Sequence, residues 1–354
     1  MPKNQFQESP ISTHFGKTIN SAIVKYLDTI SQARSDNTTR AYKNALNVFR
    51  LVLKENKLEP DETPVTKLGE QFISKFAASL KSYSPTTERL YIQGVSGFYK
   101  YLAAEQLSEI NLPRLELLIK QRTRKPGIRL PQFPSEEIEK IIEYVTPLSS
   151  LEKSTEMVKN ASQKQQNIRL REMRDRAFLI TLADTGLRVH EACNLRRGDM
   201  DWNEGRAVIV GKGDKQAIVR FSRRALQALK DYLLTRSNLD GSSGRPLGSL
   251  PLFARHDKGA GKKVKPITAT GARNLVHERV REFLGEQAVG RVTPHSFRHY
   301  FVTTVLRGSG NLKLAQELAR HSNIQVTQRY VHLSNDELDK GYHEIFEQKH
   351  DHVN

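Results

Sequence analysis

The chain has 354 residues, more than one typical domain holds and enough for two. Its composition, 37% hydrophobic and 27% charged, is globular rather than disordered, and a single cysteine, Cys193, excludes an internal disulfide or a multi-cysteine zinc site. No run nears the roughly 20 apolar residues of a membrane span, and a net charge of +17 points to a polyanionic partner, nucleic acid before an acidic membrane surface.

Residues 1–17 read as a polar tail without the apolar core of a signal peptide, and with the single cysteine this makes a reducing, cytoplasmic setting the expectation. Residues 18–110 are expected to form an all-α domain of about four helices. Two of them are "TINSAIVKYLDTI" and "LGEQFISKFAASL". "SDNTTRAYKNALNVFRLVLKEN" opens on capping residues, then sets Tyr42, Leu46, Phe49 and Leu53 at helical spacing. "SPTTERLYIQGVSGFYKYLAAEQ" repeats the device, with Ser84 as N-cap, Pro85 in the first turn, and Leu90, Val95, Phe98 and Leu102 as its apolar face. Residues 111–132 hold the densest positive charge, six Lys/Arg against one Asp/Glu, broken by Pro126, Gly127 and Pro131. They read as an extended basic linker whose Lys120, Arg122, Arg124, Lys125 and Arg129 track a phosphate backbone.

Residues 133–340 read as a second domain. "PSEEIEKIIEYV" begins it with a capped helix. Residues 147–169 are polar and weakly periodic, an inserted loop or a partly helical excursion. "REMRDRAFLITLADTG" is a buried helix ending at Gly186, and "RAVIVGKGDKQAIVRF" places two β-branched runs around a glycine-containing hairpin turn. "SRRALQALKDYLL" returns to helix, two flexible loops follow, and from Thr268 the chain is mostly helical. The fold class is therefore mainly α: an all-α N-terminal domain, then a mixed α/β domain of helices with a small antiparallel sheet. Residues 341–354 carry Tyr342, Ile345 and Phe346 at the spacing of a short helix, which docks on a neighbouring copy or packs in cis.

Five short pieces carry reactive or phosphate-binding side chains. "TGLRVHEA" sets Arg188 just after a helix-ending glycine with Glu191 three residues on; alone, this reads as a salt bridge at a helix start. "GKGDK" puts Lys212 at a hairpin tip. "TPHSFRHYFVTTVL" starts a helix at Thr293 and Pro294, with His295 and Arg298 one turn apart near its positive end and Phe297, Phe301, Val302 and Val305 for packing. "LARHSN" ends another helix at His321, and "QRY" places Tyr330 among polar neighbours. Each has a bland explanation alone. Together, two arginines, a lysine, two histidines and a tyrosine are what metal-free phosphodiester transfer requires. A phenol of pKa about 10 needs a base to attack, and no cofactor is called for.

In their order and context these motifs resemble the tyrosine recombinase family, the phage-integrase and Xer-like site-specific recombinases. The resemblance also covers "SDNTTRAY" and "SPTTERLY", which look like helices of that family's SAM-like core-binding domain. It implies that Arg188 and Arg298 bind the scissile phosphate, with His321 hydrogen-bonding it. Lys212 protonates the 5′-oxygen, His295 accepts the tyrosine proton, and Tyr330 forms a 3′-phosphotyrosyl link without metal or ATP. It further implies double-stranded DNA with specific sites held in a two-domain clamp. Four protomers on two sites would exchange strands through a Holliday junction, with an accessory protein as a further partner. Two other readings remain open: a type IB topoisomerase-like or hairpin-forming strand transferase, and a non-catalytic DNA-binding regulator. Two features depart from the pattern, the insertion at 147–169 and Arg320, which stands where a glycine is common and is expected to add a phosphate contact or shift His321.

Overall fold

The computed structural model describes residues 17–124, 134–146, 163–211, 216–257, 259–260 and 263–321. The chain divides into two compact units, Met1–Arg129 and Leu130–Asn354. Among the described residues no helix is long and apolar enough to cross a membrane.

The first unit is a helical bundle: α1 (Ile19–Ala33), α2 (Asp36–Glu55), α3 (Gln71–Ser79), α4 (Pro85–Ala104) and α5 (Leu112–Arg122). The polar residues before the helices cap them. Thr18 accepts the Ser21 amide, Ser84 that of Thr87 and Asn111 that of Arg114. Leu46, Phe49 and Leu53 of α2 are fully buried, and the Phe49 and Phe76 rings meet edge to face at 5.3 Å. Burying each such side chain contributes on the order of 1.5–3 kcal/mol. On α4 the buried stripe runs Ile92, Val95, Tyr99 and Leu102 with Phe98 beside it, whereas Leu90 is 39% exposed. Two residues from Ile92, it stands on the opposite helix face. Gly97 gives α1 room, because a Cβ there would meet the Tyr26 hydroxyl at 2.2 Å.

The stretch expected as an extended linker over 111–132 begins instead as α5. Asn111 caps it, Pro113 lies in its first turn, and Leu115 is fully buried in the first unit's core. Lys120 and Arg122 fall in its last turn, where cations complement the helix dipole. Both side chains are exposed, as a phosphate contact needs. Arg124 is placed differently from the expected backbone contact. Its Nε donates to Glu88 Oε2 at 2.5 Å and its Nη2 to the Tyr83 carbonyl at 2.6 Å. Glu88, fully buried, also accepts Lys81 Nζ at 2.9 Å and the Arg124 amide at 3.1 Å. A buried carboxylate must be paired, and these two cations supply the pairing. Glu88→Ala is expected to lower the unfolding free energy by about 1–3 kcal/mol, read by denaturant titration of the intact chain. An unchanged midpoint would contradict this role. Lys125, Arg129 and the rest of the expected linker lie outside the described residues.

The second unit contains α6 (Ser135–Val145), α7 (Gln163–Thr185), α8 (Val189–Asn194), α9 (Arg223–Thr235), α10 (Ser237–Gly241), α11 (Ala269–Leu284), α12 (Pro294–Ser309) and α13 (Leu312–Ala319). Its antiparallel sheet runs in the order β1 (Met200–Asp201), β2 (Arg206–Val210), β3 (Gln216–Arg220). The expected hairpin is β2–β3, in a register that pairs Val208 with Ile218 and Val210 with Gln216. Ala207, Ile209 and Val219 face the core while Val208 and Ile218 face out. Helix α7 is central: Ala177, Phe178, Leu179, Ile180 and Leu182 are all fully buried, and it packs against α6, α9 and α12. It begins at Gln163, so the end of the polar stretch 147–169 is helical; residues 147–162 lie outside the described residues.

A polar knot is buried behind α9. Arg236, fully buried, pairs with Asp240 at 2.8 Å and donates to the Tyr232 hydroxyl at 3.0 Å and the Pro251 carbonyl at 2.8 Å. The Tyr232 oxygen also accepts the Ala254 amide at 3.2 Å, so its proton is directed to His256 Nε2, 2.7 Å away. That bond needs an unprotonated Nε2. Burial, then the charges of Arg174 and Arg236, push His256 down to about 3. In an unfolded chain this imidazole takes a proton near 6.5. Its contribution is thus complete above about 6.5 and is lost as pH falls below that value toward the folded pKa. We expect the melting temperature to fall between pH 7 and 5 by on the order of several degrees, and His256→Gln to flatten that slope. A flat wild-type profile would contradict the assignment.

Candidate active site

The site grows from the end of α7. Gly186 follows Thr185 at φ +58°, and a Cβ there would lie 2.4 Å from Phe301 Cδ1, so backbone angle and close approach both call for glycine. The sharp exit sets Arg188 as the extended N-cap of α8. Glu191, in the first turn, takes the Arg188 amide on Oε2 at 2.9 Å and the Arg188 guanidinium on Oε1 at 2.8 Å. The salt bridge that spacing allowed is present. Its two ends differ: the Arg188 side chain is 44% exposed and that of Glu191 only 2%.

Helix α12 supplies the opposite wall. Thr293 is its N-cap, Pro294 opens it, and the Thr293 amide donates to Ser296 Oγ at 3.1 Å. Phe297 and Val302 are buried while Phe301 and Val305 pack part-buried against α13, as their spacing suggested. Arg298 is 3% exposed; its Nη1 donates to the Gly186 carbonyl and its Nη2 to the Ala319 carbonyl. One guanidinium therefore joins the end of α7 to the end of α13. His295, exposed in the first turn, stacks edge to face on His299 at 4.1 Å. The sequence motif alone does not mark His299, although its i,i+4 spacing from His295 places both on one helix face.

Helix α13 ends in a Schellman turn: the His321 amide donates to the Gln316 carbonyl at 3.0 Å and the Arg320 amide to that of Glu317 at 3.0 Å. The turn requires a left-handed residue, and Arg320 adopts φ +58°. For a residue with a Cβ this costs about 1–2 kcal/mol, which is why glycine is the usual occupant. The Arg320 guanidinium turns inward, against the phosphate-facing position expected for it. Its Nη2 lies 3.3 Å from the Gly186 carbonyl and 3.4 Å from Glu191 Oε2. The left-handed cap aims the side chain back across the helix end toward the buried carboxylate.

The closeness of these groups shifts their ionisation. Burial, then Arg298, Arg188, Arg320 and His295 in turn, push His321 down to about 4. Burial, Arg298 and Arg188 lower His295 in the same way. For Glu191, burial pushes the carboxyl up but is outweighed by its bonds from Arg188 and the charge of Arg320, so it stays below the ordinary range. The structure thus brings together Arg188, His295, Arg298 and His321, and adds Glu191, His299 and Arg320. Lys212, within the segment joining β2 and β3, and Tyr330 lie outside the described residues, as does the segment 341–354.

Residues 150–337 match the phage integrase family and residues 23–106 match the N-terminal SAM-like domain of phage integrases. Tyrosine recombinase XerC of Bacillus subtilis is 29% identical over 320 residues, 90% of this chain and 93% of that protein. XerC of Bacillus pumilus is 31% identical over 251 residues, 71% of this chain and 72% of that protein. Among solved structures, the Tn1549 transposon integrase in complex with transposon right-end DNA matches with a TM-score of 0.60 at 17% identity, over 93% of this chain and 99% of that one. XerH recombinase bound to a palindromic difH substrate matches with a TM-score of 0.59 at 16% identity, over 91% and 94%. At such identities the structural likeness is one of fold.

Proposed function

This chain belongs to the phage integrase family as a tyrosine recombinase, and we propose that it cleaves and rejoins duplex DNA at specific sites through a 3′-phosphotyrosyl link at Tyr330. The supporting observation is that Arg188, His295, Arg298 and His321 lie within reach of one another's charges, with Tyr330 following in the same matched region. In the cleavage step the Tyr330 oxygen attacks the scissile phosphorus and the bond to the 5′-oxygen breaks. The phenol proton passes to His295, and the departing oxygen takes a proton from Lys212. A lowered pKa suits His295 to that task, since its ring is unprotonated at neutral pH. His321, held neutral, donates one N–H to a non-bridging oxygen. Arg188 and Arg298 stabilise the charge gathering on those oxygens.

Rejoining reverses the step with a 5′-hydroxyl from the partner strand. The phosphotyrosyl bond conserves the phosphodiester energy, so neither ATP nor a metal enters the balance. Strand exchange takes four protomers on two sites and passes through a Holliday junction. Incubation with DNA nicked near a candidate site, in EDTA, tests the chemistry. A protein–DNA adduct that survives denaturant is the expected result. Tight binding without an adduct would move the reading to a non-catalytic regulator. Cleavage and resealing without stable pairing of two sites would move it to a topoisomerase-like enzyme.

A further inference from the structure

We propose that Arg320 is a positioning residue that offsets the buried Glu191 carboxylate, so that Arg188 keeps its positive charge for a phosphate, and holds that carboxylate where it orients Arg188. This rests on reading Arg188 and Arg298 as the phosphate clamp. The starting observation is a misfit: the turn after α13 favours glycine, yet Arg320 occupies it at φ +58°. Strained residues persist where their surroundings hold them, often at functional sites. Here the holding groups are visible. The Arg320 side chain is 12% exposed, and a lysine or arginine with no inward role would carry its charge out to water. Instead its Nη1 donates to the Leu318 carbonyl at 3.2 Å, and its Nη2 reaches both the Gly186 carbonyl and Glu191 Oε2. Its buried Nε finds no acceptor among the described residues, so charge, more than complete hydrogen bonding, accounts for its place.

The charge balance gives the contact its meaning. Glu191 lies between two guanidiniums, Arg188 at 2.8 Å and Arg320 at 3.4 Å. With Arg188 as its only partner, the buried carboxylate would cancel the exposed cation offered to a phosphate and leave only the buried Arg298 in excess. Around Glu191 itself, two guanidiniums and one carboxylate leave one positive charge in excess, facing solvent through the exposed part of Arg188 and adding to the charge of the buried Arg298. Arg320 also shares the Gly186 carbonyl with Arg298, which fills both lone pairs of that oxygen. One inward-turned residue thus braces both arms of the clamp without touching the substrate.

The test is single-turnover cleavage at saturating DNA for Arg320→Gly, Arg320→Lys and the double variant Arg320→Gly/Glu191→Gln. Glutamine keeps the acceptor for the Arg188 amide and removes the charge. Arg320→Gly is expected to cleave about 10- to 100-fold more slowly, with an unfolding midpoint no lower than the parent's, because glycine accepts the left-handed turn. Arg320→Lys recovers part of the rate. Adding Glu191→Gln to Arg320→Gly raises the rate, where a merely structural role would have the second change deepen the loss. A parental rate in Arg320→Gly, or a double variant slower than Arg320→Gly, overturns the proposal. Titration with inorganic phosphate, followed on the Arg188 side-chain resonances, reads the pocket without DNA. Affinity should fall from the parent through the double variant to Arg320→Gly. That order in a protein that never cleaves DNA would retire the recombinase mechanism and leave Arg320's role standing. Equal affinities in parent and Arg320→Gly would overturn it even where DNA is cleaved.

Discussion

Tyr330→Phe is expected to bind its DNA with unchanged affinity and to form no covalent adduct. The change removes one oxygen and leaves the ring, so packing and the electrostatic contacts that dominate DNA affinity are retained. What is lost is the only atom that attacks phosphorus in the proposed step. Residual cleavage would have to use water, which the pocket has no group assigned to position. The expected fall is about 10⁴-fold or more, equivalent to more than about 5 kcal/mol in the barrier. Equal adduct yields from the variant and the parent would remove Tyr330 from the mechanism. Equal loss of binding and cleavage would make it a packing residue.

Arg188→Ala and Arg298→Ala are expected to share a catalytic defect and to differ in stability. Either change removes a guanidinium from the clamp, and the loss of one such donor costs about 10²- to 10³-fold in rate. Arg188 stands at the rim, 44% exposed, and its carboxylate partner keeps Arg320. Its removal should shift the unfolding free energy by less than about 1 kcal/mol. Arg298 is buried and satisfies the carbonyls of Gly186 and Ala319. Its removal leaves the Ala319 carbonyl unpaired and that of Gly186 with Arg320 alone, and it opens a cavity, a loss on the order of 3 kcal/mol. Cleavage assays paired with denaturant titration measure both quantities. Equal stability losses would contradict the division between a surface arm and a buried one.

Much of this site is legible in the sequence. Gly186, Arg188 and Glu191 declare a helix stop and a salt bridge at the next helix start within six residues, and local chemistry of that kind survives folding. His295 and Arg298 were legible for the same reason: Thr293 and Pro294 mark the helix start and fix their register. Non-local features were not. Charge counting made residues 111–132 a linker, because Leu115 reveals itself as core only when the rest of the bundle is present. The same counting put Arg124 on DNA, and only the tertiary fold brings Glu88 beneath it. Leu90 reads as apolar face by its type, although its offset from Ile92 and Val95 argues against it. Strand β1, two residues long, carries no alternation to read. Arg320 was visible as a departure, but its inward direction depends on a left-handed turn that its own residue type disfavours.

The most direct measurement is to trap the covalent adduct on a nicked duplex in EDTA, digest it with protease and nuclease, and locate the remaining nucleotide by mass spectrometry. The account predicts a nucleotide joined through its 3′-phosphate to the peptide containing Tyr330, with a free 5′-hydroxyl on the other DNA end. A nucleotide on any other residue, or one joined through its 5′-phosphate, would contradict it.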